Sequence, residues 1–177
     1  KKKKKLGCVG MFLLGGVFSA QFGMASVYGA EAGLTVAQIS IFVATFFVGS
    51  VVLQYPIGWV SDRMDRRLLI VITSIIGGIG SVIGMLLGHN FSVLLLTAFV
   101  VGGMSNPLYS LLIAHTNDFL EPEDMAAASG GMIFINGLGA ILGPVITGWM
   151  MGTALGPGGF YLFTAVLFFA LAVFFFF

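Results

Sequence analysis

The chain has 177 residues, of which 58% are hydrophobic and only 8% charged, with a formal net charge of +1. A soluble domain carries roughly a quarter charged residues to cover its surface. This composition therefore excludes a water-soluble globular protein, and the mean hydropathy of +1.07 makes lipid the solvent for most of the surface. The lone Cys8 excludes an internal disulfide.

A hydrocarbon core about 30 Å thick takes roughly 20 apolar helical residues. That ruler predicts six spans in chain order: Leu6–Tyr28, Ala37–Val60, Leu68–Leu87, Ser92–His115, Ala126–Met151 and Phe160–Phe177. The first is too long for the apolar region of a signal peptide and reads as a spanning helix. The apolar runs are continuous rather than alternating, which selects helices over barrel strands. The expected fold is an all-α membrane protein, residues 1–177 forming a single six-helix transmembrane bundle. The short links predict sequential spans as antiparallel neighbours. The 26 glycines fit this setting, because small residues let helices approach closely in lipid.

All eight cations are Lys1–Lys5, before the first span, and Arg63, Arg66 and Arg67, between the second and third. Both groups fall on one side. By the positive-inside rule that side is cytoplasmic, which predicts both termini inside a plasma (inner) membrane. The lysine run and the Phe174–Phe177 run read either as native low complexity or as the edges of a fragment.

The most specific stretch is Tyr55-Pro-Ile-Gly-Trp-Val-Ser-Asp-Arg-Met-Asp-Arg-Arg67. Gly58 permits close approach of another helix, Asp62 suits a helix N-terminus, and the arginines can pair with Asp62, Asp65 or lipid phosphate. On charge alone this is an ordinary basic loop. The spacing Gly58-x-x-x-Asp62-Arg63-x-x-Arg66-Arg67, between the second and third helices of a six-helix unit, resembles the signature loop of the major facilitator superfamily. The family usually has a glycine where Asp65 stands. The resemblance implies a latch between the two halves of a transporter that biases the outward-open state. Gly58 would be its packing site, Asp62 its anion, and Arg63 and Arg66 the charge partners of Asp62, with Arg67 beside them.

In the fifth span the pattern Gly130-x8-Gly139-x3-Gly143-Pro144-x3-Gly148 resembles the superfamily's fifth-helix motif, with Thr147 in place of a glycine. Gly139 and Gly143 stack on one face, and Pro144 lacks the backbone donor to residue 140 and is expected to bend the helix. Gly139, Gly143, Pro144 and Gly148 are the candidate hinge, with generic small-residue packing as the plain alternative.

The fourth span, Val100 to Tyr109, lacks the arginine found in many proton-linked first halves. Its Gly-rich start and Pro-Leu-Tyr segment resemble the tenth helix of full-length members, and residues 107–118 resemble a bacterial branch of the family. We therefore read the chain as the second, C-terminal half. The resemblance places substrate between the halves near the bilayer midplane.

No charged residue lies deep in a span, so no proton carrier is evident. The candidate cavity residues are neutral: Gln21 first, then Asn106 and Tyr109, three apart on one face, and Asn136. Each equally suits a bond to a neighbouring helix. No nucleophile, phosphate loop or paired carboxylates appear, and His89 and His115 are isolated. We expect no catalytic residues, no metal, no cofactor and no nucleic acid. The expected function is secondary active transport of a small organic molecule by alternating access. The expected partners are the lipid bilayer and a complementary half, or self-association. The alternatives are a non-transporting membrane scaffold and an inactive excised fragment.

Overall fold

The computed structural model describes residues 2–177, with side chains from Leu6 onward. The charges of Lys1–Lys5 used above for orientation lie outside the described residues. All regular structure among the described residues is helical. The first span is composite: α1 (Lys2–Ser19), a π-helical turn at Ala20–Met24, and α2 (Ala25–Glu31). The remaining spans are α3 (Val36–Ser61), α4 (Arg66–Leu87), α5 (Phe91–Asn117), α6 (Pro122–Met151) and α7 (Gly158–Phe176). Six stretches, beginning with Leu6–Glu31, are long and apolar enough to cross a membrane.

Local chemistry sets the helix ends. Gly33, at φ 76°, stops the first span, and Thr35 opens α3 in a reciprocal capping box with Gln38. Asp65 and Asn90 cap α4 and α5 by accepting backbone N–H groups of the first turn. Pro122 opens α6, where its missing donor costs nothing.

The packing corrects one expectation from the short links. Of the pairs adjacent in sequence only α4 and α5 pack extensively. α3 packs on α5, α1 on α6 and α4 on α7, while α3 and α4 hardly touch despite the short link between them. A short loop fixes only where two ends meet, and helices then diverge toward whichever surface they complement. In lipid that choice falls to close packing and interhelical bonds, because apolar surface gains little by leaving hydrocarbon. The layout places α1 and α5 in the middle, α6 and α3 flanking them, and the α4–α7 pair behind.

Glycine decides these pairings. A Cβ on Gly49 would collide with the carbonyl of Phe99, and one on Gly102 with that of Phe46, so α3 and α5 touch backbone to backbone. Gly15 and Gly139 make the same contact between α1 and α6, against the carbonyls of Asn136 and Phe12. At the back, rings of Phe168 and Tyr161 on α7 fill hollows over Gly77 and Gly84 of α4. Tyr28, Phe42, Phe160 and Tyr161 close the far end as a ring cluster with centroids 5.0–5.5 Å apart.

Gly49→Val should therefore destabilise the bundle by about 1–3 kcal/mol or more through overpacking. Gly137→Val, where nothing lies within 4 Å, should cost less than about 0.5 kcal/mol. Thermal melting of the two purified variants in detergent checks this; equal melting would remove the backbone contact as the cause.

Candidate functional site: the open face and its arginine loop

The spans are unequally buried. In α3 only 22% of the apolar stretch is covered and in α6 only 11%, against 50% or more in the other four. Together with the first span and α5, they form one broad face left uncovered. Gly58, Gly130, Gly131 and Gly137 all have empty space where a Cβ would project. The close approach expected at Gly58 is thus not made by any described residue of this chain.

Along this face runs a file of aromatic rings from three spans. Phe47 of α3 lies 4.9 Å from Phe22 in the π turn, Phe22 lies 5.8 Å from Phe18 of α1, and Phe18 lies 6.0 Å from Tyr109 of α5. The sequence singled out Tyr109 but not the phenylalanines. Their only signal is the four-residue spacing of Phe18 and Phe22, which does not stand out among 18 phenylalanines.

The neutral polar candidates all meet neighbouring helices. Gln21 is fully buried, accepting from Ser105 Oγ at 2.8 Å and donating to the Val101 carbonyl at 3.4 Å. In this conformation it joins the first span to α5 and does not line an open face. Asn106 donates through Nδ2 to Ser50 Oγ at 2.5 Å, and Ser50 donates to the Gly102 carbonyl at 2.9 Å. Asn136 donates to the Met11 carbonyl at 2.9 Å, across the α1–α6 seam. Tyr109 and Asn106 do share a side of α5, at the edge of the ring file.

The candidate hinge glycines also face inward. Beyond Gly139, a Cβ on Gly143 would strike Ser19 Oγ, and one on Gly148 would rest 3.6 Å from Met24. Pro144 borders Gly23 of the π turn. The glycine file of α6 thus closes a seam on the first span, within this bundle. α6 runs unbroken through Pro144 from Pro122 to Met151. Thr147, where the motif prefers glycine, is buried with no hydrogen-bond partner for its hydroxyl among the described residues.

The arginine loop is fully specified. Asp62 ends α3, solvent-exposed and without an ion pair among the described residues. Arg63 folds back over the Trp59 ring, 3.9 Å from its centroid, and donates to the Trp59 carbonyl. Arg66 pairs at 2.5 Å with Asp118, just beyond α5, and not with Asp62 or Asp65. Arg67 donates to the carbonyls of Phe175 and Phe176 on α7. Asp65 accepts from the backbone N–H groups of Arg67 and Leu68. The aspartate that replaces the family's glycine is therefore the cap of α4. Two cavities of about 500 Å³ open here. One is lined by Asp62, Arg66, His115 and Asp118, and the other by Gln54, Tyr55, Trp59, Asp62 and Ser110.

Asp65→Ala should cost about 1 kcal/mol through loss of the cap. The Arg66–Asp118 pair, with side chains 32% and 44% exposed, should show a coupling below about 1 kcal/mol. A double-mutant cycle read by thermal denaturation measures the coupling, and the single Asp65 variant measures the cap.

Comparison with known proteins agrees with this architecture. The Major Facilitator Superfamily profile matches residues 7–177. The chain is 30% identical over 144 residues to the uncharacterized MFS-type transporter YfkF of Bacillus subtilis (strain 168), covering 80% of this chain and 36% of that relative. It is 32% identical over 125 residues to the quinolone resistance protein NorA of Staphylococcus aureus (strain Mu50), covering 70% of this chain and 32% of NorA. Among solved structures it superposes on the POT family transporter PepTSo with a TM-score of 0.83 at 15% identity, covering 98% of this chain and 36% of that one. The chain thus spans about a third of the length of the relatives it matches. On the profile match, with six spans of membrane-crossing length, the chain belongs to the major facilitator superfamily of membrane transporters.

Proposed function

We propose that the chain is the second, C-terminal half of a secondary transporter that moves a small organic molecule by alternating access. The observation that carries this reading is the uncovered face formed by α3, the first span, α5 and α6. The bare apolar stretches are concentrated in two helices of the six. Two flanking helices left bare beside two central ones fit a second six-helix bundle meeting the outer sides of α3 and α6, with substrate held against α1, α5 and the side of α3 that carries Phe47. Self-association of two copies of this chain would cover the same face.

The arginine loop fits the latch role. Asp62 is the one carboxylate of the loop left without a partner among the described residues, poised to meet a helix N-terminus of the other half. Gly58 beside it has room for that helix. Arg63, Arg66 and Arg67 hold the loop's shape through Trp59, Asp118 and α7. Leu6 lines the same cavity as Asp62 and Arg66, so the described start of the first span lies at the arginine end. That placement supports a cytoplasmic location for both, in an inner membrane. During rocking, the α6 seam at Gly139, Gly143, Pro144 and Gly148 would act as the hinge against the first span. Asn106 and Tyr109 would face substrate, while Gln21 and Asn136 would hold the helices around it.

A membrane-impermeant thiol reagent tests this in native membranes, with single cysteines at Tyr109 and Ser110 in a Cys8→Ser background. Labelling from one side should predominate. Asp62→Asn should raise labelling from the cytoplasmic side by about fivefold, the lower end of a typical coupling free energy. Protection at both positions from both sides would instead favour a scaffold that transports nothing.

A further inference from the structure

We infer that the ring file Phe47–Phe22–Phe18–Tyr109 is a stacking subsite for a planar aromatic ligand that is neutral or carries a delocalised positive charge. The inference rests on the transport reading for its setting, and on four features of the face for its chemistry.

First, the rings are presented and not packed away. Phe22 is 43% and Phe47 51% exposed, and Phe18 and Tyr109 are half-buried. The ring cluster at the far end of the bundle, around Phe42, Phe160 and Tyr161, is by contrast fully buried. Second, the rings are tilted by 33–40° to one another at 4.9–6.0 Å. That splay leaves ring faces available for offset stacking by a flat ligand. Third, the π turn at Ala20–Met24 brings Phe22 within reach of Phe47 on α3 while Phe18 stays beside Tyr109 on α5. π turns recur at functional positions. Fourth, polar atoms stand at the edge of the file. Asn106 uses its Nδ2 on Ser50, and neither its Oδ1 nor the Tyr109 hydroxyl has a partner or is sealed from solvent among the described residues. A lipid acyl chain satisfies neither atom; a heteroaromatic ligand can satisfy both.

The charge preference follows from what surrounds the rings. The loop arginines are engaged at the end of the bundle with Trp59, Asp118 and the end of α7. No described cation stands in the file to neutralise an anion in low dielectric. The negative faces of the rings attract a diffuse cation.

Ethidium binding to the chain in zwitterionic lipid nanodiscs, read by fluorescence anisotropy against empty nanodiscs, tests the subsite. Saturable binding is expected. Phe22→Leu and Phe47→Leu, which keep apolar bulk and remove the ring, should each weaken it about five- to tenfold. Phe47→Tyr should stay within about twofold because it keeps the ring. Phe174→Leu, on α7 behind the face, should leave binding unchanged. The planar anion 1-pyrenesulfonate should bind at least about tenfold more weakly than ethidium. No saturable ethidium binding, or wild-type binding by both leucine variants, overturns the subsite. So does equal binding of the anion, as regards charge. The thiol-labelling result is independent. A shift in sidedness with unaffected leucine variants rejects the subsite and leaves transport standing. Ring-dependent binding with both cysteines protected from both sides supports the subsite and rejects transport.

Discussion

Everything in this bundle hangs on backbone meeting backbone. Where Gly49 lies on the Phe99 carbonyl and Gly102 on that of Phe46, α3 and α5 approach as closely as two helices can. Gly15 and Gly139 do the same for α1 and α6. Hydrocarbon offers no solvent that apolar side chains gain by leaving, so contact area and hydrogen bonds must hold the helices together. The bonds follow the contacts. Ser50 reaches the Gly102 carbonyl and Asn136 reaches that of Met11 only because the backbones are already close.

The same constraint divides the molecule in two. Close pairings within the bundle use the inward glycines, and large rings on α7 complete the back. What remains is a face whose glycines meet nothing and whose apolar side chains project outward. Such a face is a cost in water but not in lipid, so the bundle can stand in a membrane with that face uncovered. The arginine loop belongs to the same economy of contacts: Arg66 and Arg67 fasten the start of α4 to the ends of α5 and α7, and Asp62 is left over for something else.

The sequence made the fold legible because six continuous apolar runs admit few interpretations in a bilayer. The loop motif was legible too, since Gly58, Asp62 and the arginines stand at fixed spacing in a chain with few charges. Which helices pair was not legible. Link length pointed to sequential neighbours, and the glycine contacts that overrule it depend on the axial register of distant helices. Polar side chains were ambiguous for a related reason. Gln21 and Asn106 look alike in sequence, yet one is sealed against Ser105 and the other keeps an oxygen at the open face. Asp65 read as a departure from a motif, and became intelligible only as the acceptor for the first N–H groups of α4. The ring file was hidden by abundance, because nothing separates Phe22 and Phe47 from the other phenylalanines until three spans are brought together.

The π turn has a mechanical meaning beyond the side chain it displays. Below it, the first span is keyed to α6 through Gly15 and Ser19; above it, to α3 through Gly29 against Ile39. One extra residue in a helical turn changes the angular phase of everything beyond it by about 100°. The two ends of the span are therefore dialled to different neighbours by a joint that is wound, not broken. Rewinding that joint into ordinary α-helix would turn the upper segment like a key while the lower stays locked.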